Sequence, residues 1–263
     1  MLTPVSTDHL PVRRLFDTPI HAIDMSEVIE LARHSIDARR RLLIGVVNAA
    51  KLVNMRKSAL LRESVLSSDI VLADGMSVVW ACRLLRRPLR GRVAGINLMY
   101  ELLDLADRAG LRVYCLGATQ EVADTVAQRI GETYPGVQLA GYRNGYFEPD
   151  EEAGIVAAIR AARPDILFVA MSPPKKEKFL ARWTDELDVP VCHGVGGSFD
   201  VMAGKVKRAP RVMQRIGLEW LYRLLQEPRR LAGRYFVTNT LFLWMLLGEL
   251  VPGTKRRASP AAK

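Results

Sequence analysis

From residue 41 to residue 200 the chain alternates between short apolar runs of strand character and longer segments of helical period. The strand runs are Leu42 to Asn48, Ile70 to Asp74, Arg112 to Gly117, Val137 to Tyr142, Ile166 to Met171 and Val189 to Gly194. Several, such as ILFVAM, are apolar throughout, which requires burial on both faces. Between them lie helical segments: Ala50 to Ser64, Met76 to Leu85, Leu98 to Arg108, Gln120 to Thr133, Glu151 to Ala162 and Lys175 to Leu187. Doubly buried strands separated by helices imply a parallel sheet wrapped on both sides.

The expected fold is therefore α/β, a Rossmann-like parallel sheet with flanking helices. The pattern stops between residues 200 and 210, where Gly204 and Pro210 interrupt it, which divides the chain into a sheet domain, 1–200, and an appendage, 201–263. In the appendage Arg211 to Gln226 has apolar residues at helical spacing and is ended by Pro228; a second helix follows. Within it Tyr235 to Gly248 is 14 residues without charge, shorter than the ~20 that span a bilayer, and suited to lying on a membrane or packing on the body. Lys255 to Lys263 reads as a disordered tail.

Charge follows the same division. The whole chain carries +10, yet residues 1–200 balance, and the last 63 residues hold thirteen basic and three acidic side chains. A neutral body with a basic appendage suits nucleic acid, anionic lipid or a phosphorylated ligand. Cys82, Cys115 and Cys192 are odd in number and set among apolar residues, so they read as reduced core thiols. Residues 1 to 20 lack the apolar stretch of a secretory signal, and both features point to the cytoplasm.

In an open parallel sheet ligands bind beyond the carboxyl ends of the strands. Asn48, Asp74, Gly117, Ser172 to Pro174, and Gly194, Gly196 and Gly197 all fall there, although each also suits a plain strand-to-helix turn. Asp74 stands out: a carboxylate after IVLA is partly desolvated, the setting of a general base, while the same residue would also cap the next helix. The glycines of GVGGSFD let backbone N–H groups approach an anion, with Asp200 close by. No G-x-G-x-x-G opens a first βαβ unit, which argues against a dinucleotide cofactor. His9, His21, His34 and His193 are scattered, and no metal-ligand spacing occurs, so no metal and no cofactor are expected. Arg208, Arg211, Arg215, Arg223, Arg229, Arg230 and Arg234 offer forks for a phosphate or a merely solvated face. Trp220, Tyr222 and Trp244 lie among apolar residues rather than basic ones, so no nucleic acid is expected.

The segments LADGMSVVWA, RVAGIN, YPGVQLAGYRNGYF, PDILFVAMSPPKKEKF, GVGGSFDVMAGKVKRAP and GLEWLYRLLQEPRRLAGRY resemble, in order, the WecG/TagA/CpsF glycosyltransferases, from about Ile20 to Leu250. The resemblance implies a metal-independent inverting transferase that moves a sugar from a UDP-sugar to a polyprenyl-diphosphate-linked sugar. It implies a peripheral place on the cytoplasmic face of the bacterial inner membrane, held to its anionic surface, with homo-oligomerisation left open. It gives Asp74 the role of general base. It places Asn48 in the same pocket and Arg223, Arg230 and Arg234 on the diphosphate, the appendage closing over the nucleotide; Gly117, Lys176, Glu177, Gly196, Gly197, Asp200 and Arg208 complete the expected substrate-binding set.

Three positions depart from the family's usual pattern: Val46 for threonine, Lys176 for glutamine and Asn97 for aspartate. Losing a hydroxyl and an amide argues against N-acetylmannosamine as donor. The chain looks closer to the exopolysaccharide, xanthan-type branch, whose members add a β-1,4-linked glucose. An N-acetylmannosaminyltransferase of the wall teichoic acid or enterobacterial common antigen type is the alternative. A nicotinamide oxidoreductase and a non-catalytic basic protein are further ones, and UDP release with a lipid-linked acceptor separates the transferase from both.

Overall fold

The structure is a computed structural model that describes residues 1–215 and 217–250; the side chains of Arg215, Arg230 and Arg234 lie outside its description. In chain order the elements are β1 (Val12–Leu15), β2 (Thr18–His21), α1 (Met25–Asp37), β3 (Leu42–Val47), α2 (Ala49–Lys57), α3 (Ala59–Leu66), β4 (Ile70–Ala73), α4 (Met76–Leu84), α5 (Gly95–Ala109) and β5 (Arg112–Gly117). Then come α6 (Gln120–Thr133), β6 (Gln138–Arg143), α7 (Glu152–Ala162), β7 (Ile166–Ala170), α8 (Lys175–Leu187), β8 (Val191–Gly194), α9 (Ser198–Met202), α10 (Arg211–Arg215), α11 (Glu219–Gln226) and α12 (Pro228–Leu250).

All six strand runs read from the sequence form one parallel sheet, in the order β4-β3-β8-β7-β5-β6. Alternate residues of each strand feed opposite cores, as the pleat requires. Leu42, Ile44, Val113, Cys115, Ile166 and Phe168 pack under α1, α5, α6 and α9. Leu43, Tyr114, Leu116, Leu167 and Val169 face α7 and α8. The second face continues toward β4, where Val71 and Ala73 pack with α2, α3 and α4. Because a helix follows β5 on one face and β7 on the other, the connections diverge and leave a crevice at the carboxyl edge. The three cysteines are buried and free; burial pushes the Cys115 and Cys192 thiols up to about 12, so neither is a nucleophile.

Several boundaries differ from the sequence expectation. The segment Ala50 to Ser64 is two helices, because Ser58 leaves the helical conformation and caps α3 through its hydroxyl. Arg211 to Gln226 is also two, broken where Gly217 turns left-handed. Pro228 opens α12 instead of merely ending the helix before it, the position where a missing N–H costs nothing. The hairpin β1–β2 carries no sequence signal: its turn residues Phe16 and Asp17 both have positive φ, a role normally given to Asn-Gly.

That unfavourable turn is secured from outside. The Phe16 N–H donates to Glu249 of α12, and the Phe16 ring meets Phe242 edge-on at 5.4 Å. Phe242 and Leu246 are buried in the core beside β4, each contributing about 2 kcal/mol by area. The hairpin also covers the exposed edge of β4, where the Val71 N–H donates to His21 Nδ1. The other side of α12 leaves Phe236, Leu243, Trp244 and Leu247 exposed. Among the described residues no helix is long and apolar enough to cross a membrane. The tail Lys255 to Lys263 lies outside the described residues.

Candidate functional site

Asn48 and Asp74 stand side by side, one residue past the paired ends of β3 and β4, and the Asp74 N–H prolongs the ladder to the Val47 carbonyl at 2.9 Å. Asn48 is the N-cap of α2, its Oδ1 accepting from the Lys51 N–H. Asp74 does not cap the helix that follows it; that position is Gly75, without a side-chain bond. Its Oδ1 instead accepts at 2.9 Å from the N–H of Gly95, the first residue of α5, whose N-cap Ala94 has no side chain to offer. The carboxylate thus sits partly exposed at the positive end of a 15-residue helix.

The RVAGIN segment brings α5 there, and four of its residues are engaged. The Val93 N–H bonds the Ala73 carbonyl, Gly95 holds Asp74, Arg92 pairs with Glu219 and Asn97 accepts from Arg208. From the opposite side His193, wholly buried on β8, reaches the Gly95 carbonyl with Nε2 at 3.0 Å, so that nitrogen carries the proton. Burial, against the upward pull of this carbonyl, drives the imidazole down to about 4, so it is neutral near pH 7.

Beneath these residues lies a buried charge cluster. The ammonium groups of Lys51 and Lys176 each lie 2.9 Å from Glu177 Oε1, as ion contacts rather than aligned hydrogen bonds, and Oε2 has no partner. Lys51 also donates to the Val46 carbonyl at 2.8 Å, two residues beyond the last β3–β8 pair. Burial, with repulsion from Lys176, lowers Lys51 to about 8. Burial alone would raise Glu177, yet the two ammonium groups overcome it and hold the carboxyl at about 2. The three side chains line a cavity of about 20 Å³, room for roughly one water.

The C-terminal segment reaches the site at two points. Glu219 of α11 bridges Arg92, at 3.0 Å, and Arg208, at 3.4 Å. The Gly217 turn rests on the first turn of α4, two residues past Asp74; a β-carbon there would lie 2.7 Å from Met76 Cβ, and φ is +73°, so both space and conformation require glycine. Arg223 is exposed on α11, and the Arg230 and Arg234 side chains lie outside the described residues.

The remaining expected residues divide. A β-carbon at Gly117 (φ +136°) would lie 2.3 Å from the Ala170 carbonyl oxygen, so this glycine serves the close approach of two strand ends. A β-carbon at Gly196 would lie 3.9 Å from the Lys176 ammonium, and one at Gly197 would lie 3.7 Å from Asp200 Oδ2, which places the GVGG turn at the same edge. Among the described residues no three His, Cys, Asp or Glu side chains gather as metal ligands. Sequence reasoning missed Lys51, Arg92, Gly217 and Glu219, and counted His193 only among scattered histidines that make no metal site. The single legible signal was a histidine in an otherwise apolar strand, VCHG.

A partly exposed carboxylate held at the strand edge, with Arg92 and Arg208 joined to the C-terminal segment through Glu219, is a candidate site for acid–base chemistry on an anionic substrate. Residues 13–256 match the model of the Glycosyl transferase WecG/TagA/CpsF family, and the chain belongs to that family. It is 42% identical over 169 residues to an N-acetylglucosaminyldiphosphoundecaprenol N-acetyl-beta-D-mannosaminyltransferase of Bacillus spizizenii, covering 64% of this chain and 65% of the relative. Enzymes of the same name are 36% identical in Bacillus subtilis, over 76% of this chain and 77% of the relative, and in Staphylococcus aureus, over 65% and 66%. The family is one of glycosyltransferases, which favours the transferase reading over the oxidoreductase and non-catalytic ones. The nearer kinship to the xanthan-type branch has no support among these relatives, all of which bear the mannosaminyl name.

Proposed function

We propose that the protein transfers N-acetylmannosamine from its UDP-sugar to N-acetylglucosamine carried on a polyprenyl diphosphate, inverting the anomeric centre. The names of relatives at 36–42% identity favour this over glucose transfer in exopolysaccharide assembly. Glucose stays as the second reading for one reason: Val46 and a buried, glutamate-paired Lys176 stand where the family usually has threonine and glutamine. Turnover with UDP-N-acetylmannosamine and with UDP-glucose, on lipid-linked acceptors, separates the two.

The observation that carries the reading is the tethered Asp74. With Oδ1 on the Gly95 N–H, Oδ2 is left to take the proton from the acceptor hydroxyl as it attacks the anomeric carbon opposite UDP. The leaving diphosphate meets Arg208, Arg223, Arg230 and Arg234, which take the charge-neutralising role that a cation fills in other transferases. On this reading the apolar face of Phe236, Leu243, Trp244 and Leu247, with the basic residues around it, rests on an anionic membrane where the acceptor lipid resides.

Asp74→Asn is expected to lower turnover about 10²- to 10⁴-fold while UDP-sugar affinity stays within a few fold. UDP release and calorimetric binding measure both. Activity within threefold of the parent protein would remove Asp74 from the reaction, and a strict requirement for added magnesium or manganese would contradict the arginine role.

A further inference from the structure

Among the described residues His193 is the one fully buried histidine, and the transfer chemistry gives it no task. It occupies β8 level with Ile44 and Phe168 on the neighbouring strands, a place where an apolar side chain would ordinarily sit. Its Nδ1 faces the Ile44 backbone, which pulls the imidazole upward less than the Gly95 carbonyl does and is not aligned to close a hydrogen bond. A core position that carries an unsatisfied nitrogen is poorer for stability than one filled by a hydrocarbon ring. What the imidazole adds is the Nε2–H, aimed at the Gly95 carbonyl.

Gly95 is held from two sides. Its carbonyl accepts from His193, and its N–H donates to Asp74 Oδ1. Gly95 also packs directly on the ring: a β-carbon there would lie 3.7 Å from His193 Cε1 and Nε2. The first residue of α5 is therefore located by β8 and in turn locates the carboxylate at the end of β4, two strands away in the sheet. The charged groups that reach His193 are Lys176, which lowers it, and Asp74, which raises it, and burial keeps the ring neutral.

We propose that His193 is a positioning residue for the reaction: its Nε2–H fixes the start of α5, and through the Gly95 N–H it sets the orientation of the Asp74 carboxylate. The inference rests on the reading of Asp74 as the base. A small rotation of a catalytic carboxylate costs turnover far more than substrate affinity, because the reacting geometry is lost while the binding contacts remain. His193 touches no substrate, so its effect falls on kcat alone.

The test compares His193→Phe, which keeps a ring and removes the donor, with His193→Gln, which returns an N–H to the same carbonyl. Each is assayed by UDP release with the donor and lipid-linked acceptor that the parent protein turns over. The expected result is a fall in kcat of about tenfold or more for His193→Phe. Both KM values stay within twofold, the thermal midpoint is equal or higher, and His193→Gln recovers most of the rate. Unchanged kcat in His193→Phe overturns the proposal, and so does a loss of rate that tracks a loss of stability and is not recovered by glutamine. Should His193→Phe fail to fold, the unsubstituted protein decides: nitrogen-resolved NMR of the imidazole is expected to show a neutral, Nε2-protonated ring at pH 7. An Nδ1-protonated ring cannot donate to Gly95 and overturns the assignment. Failure of the base reading is a separate outcome, because it appears as activity in Asp74→Asn.

Discussion

Lys51, Glu177 and Lys176 repeat inside the body the charge pattern that Arg92, Glu219 and Arg208 make at its surface, two cations on one carboxylate. The lysine group is buried between α2 and α8, with side chains at most 10% exposed. The arginine group joins the RVAGIN segment to α11 and is up to 20% exposed. Lysine suits the first place because a compact ammonium can be enclosed at the end of a flexible stem. Arginine suits the second because its fork holds a carboxylate and still has donors to spare for a phosphate. The same charges thus make a fixed floor in one place and an openable clasp in the other.

The floor is expected to show the larger effect when broken. Glu177→Leu leaves two ammonium groups without their counter-charge, and the expected loss of stability is about 3–5 kcal/mol, read from urea unfolding. Replacing all three residues by apolar ones of similar volume is expected to restore most of it, since an ion pair in such a place returns little over its desolvation. If Glu177→Leu unfolds no earlier than the parent protein, the cluster is wetter than its burial suggests and the contrast with the arginine group disappears.

Acid tests the same floor. The Glu177 carboxyl lies at about 2 in the folded chain against 4.5 when free, so the unfolded chain takes up its proton first, and that stabilisation is lost as pH falls from 4.5 to 2. His193, at about 4 against 6.5, has its window higher, and stability falls from pH 6.5 to 4. Urea midpoints at pH 7, 5 and 3 are expected to drop in two stages. His193→Phe is expected to remove the first stage and leave the second. A single stage in the parent protein would show that one of the two groups is solvated.

How much of this was readable beforehand follows from where the information lies. Every strand of the parallel sheet was visible, because burial on both faces writes itself as an apolar run such as ILFVA. The hairpin was invisible because Phe16 and Asp17 adopt positive φ for contacts with α12, more than 200 residues away. Asp74 could be picked out as a polar residue ending a strand, but its partner could not, since Gly95 arrives through the path of a loop. Lys51 and Glu219 read as ordinary helix-surface charges. Only the packing of α8 on α3, and the pairing of α11 with Arg92 in the loop before α5, turns them inward.

The clasp carries less stability and more function. Glu219→Gln removes the charge that unites Arg92 and Arg208 but keeps the shape, and stability is expected to fall by about 1 kcal/mol. Turnover is expected to fall about tenfold, because the arginines are no longer held over the site. Equal turnover in the variant, measured by UDP release, would mean that the segment closes without Glu219.

Salt gives the smallest effect and separates the two clusters without any substitution. Raising ionic strength from about 0.1 M to about 1 M shortens the screening length from about 10 Å to about 3 Å, which weakens charges in contact with solvent and leaves enclosed ones unchanged. Trypsin cuts after Lys and Arg, and both clusters offer sites: Lys205, Lys207, Arg208 and Arg211 around the clasp, Lys175, Lys176 and Lys178 at the floor. Cleavage of the first set, corrected for the rate on an unstructured peptide at the same salt, is expected to rise severalfold, because each opening of the Glu219 bridge frees the segment around it. Cleavage of the second set is expected to stay unchanged, since α8 must unfold before the protease reaches it. Equal salt response at the two places would show that they are held by the same kind of contact, and the division into floor and clasp would have to be given up.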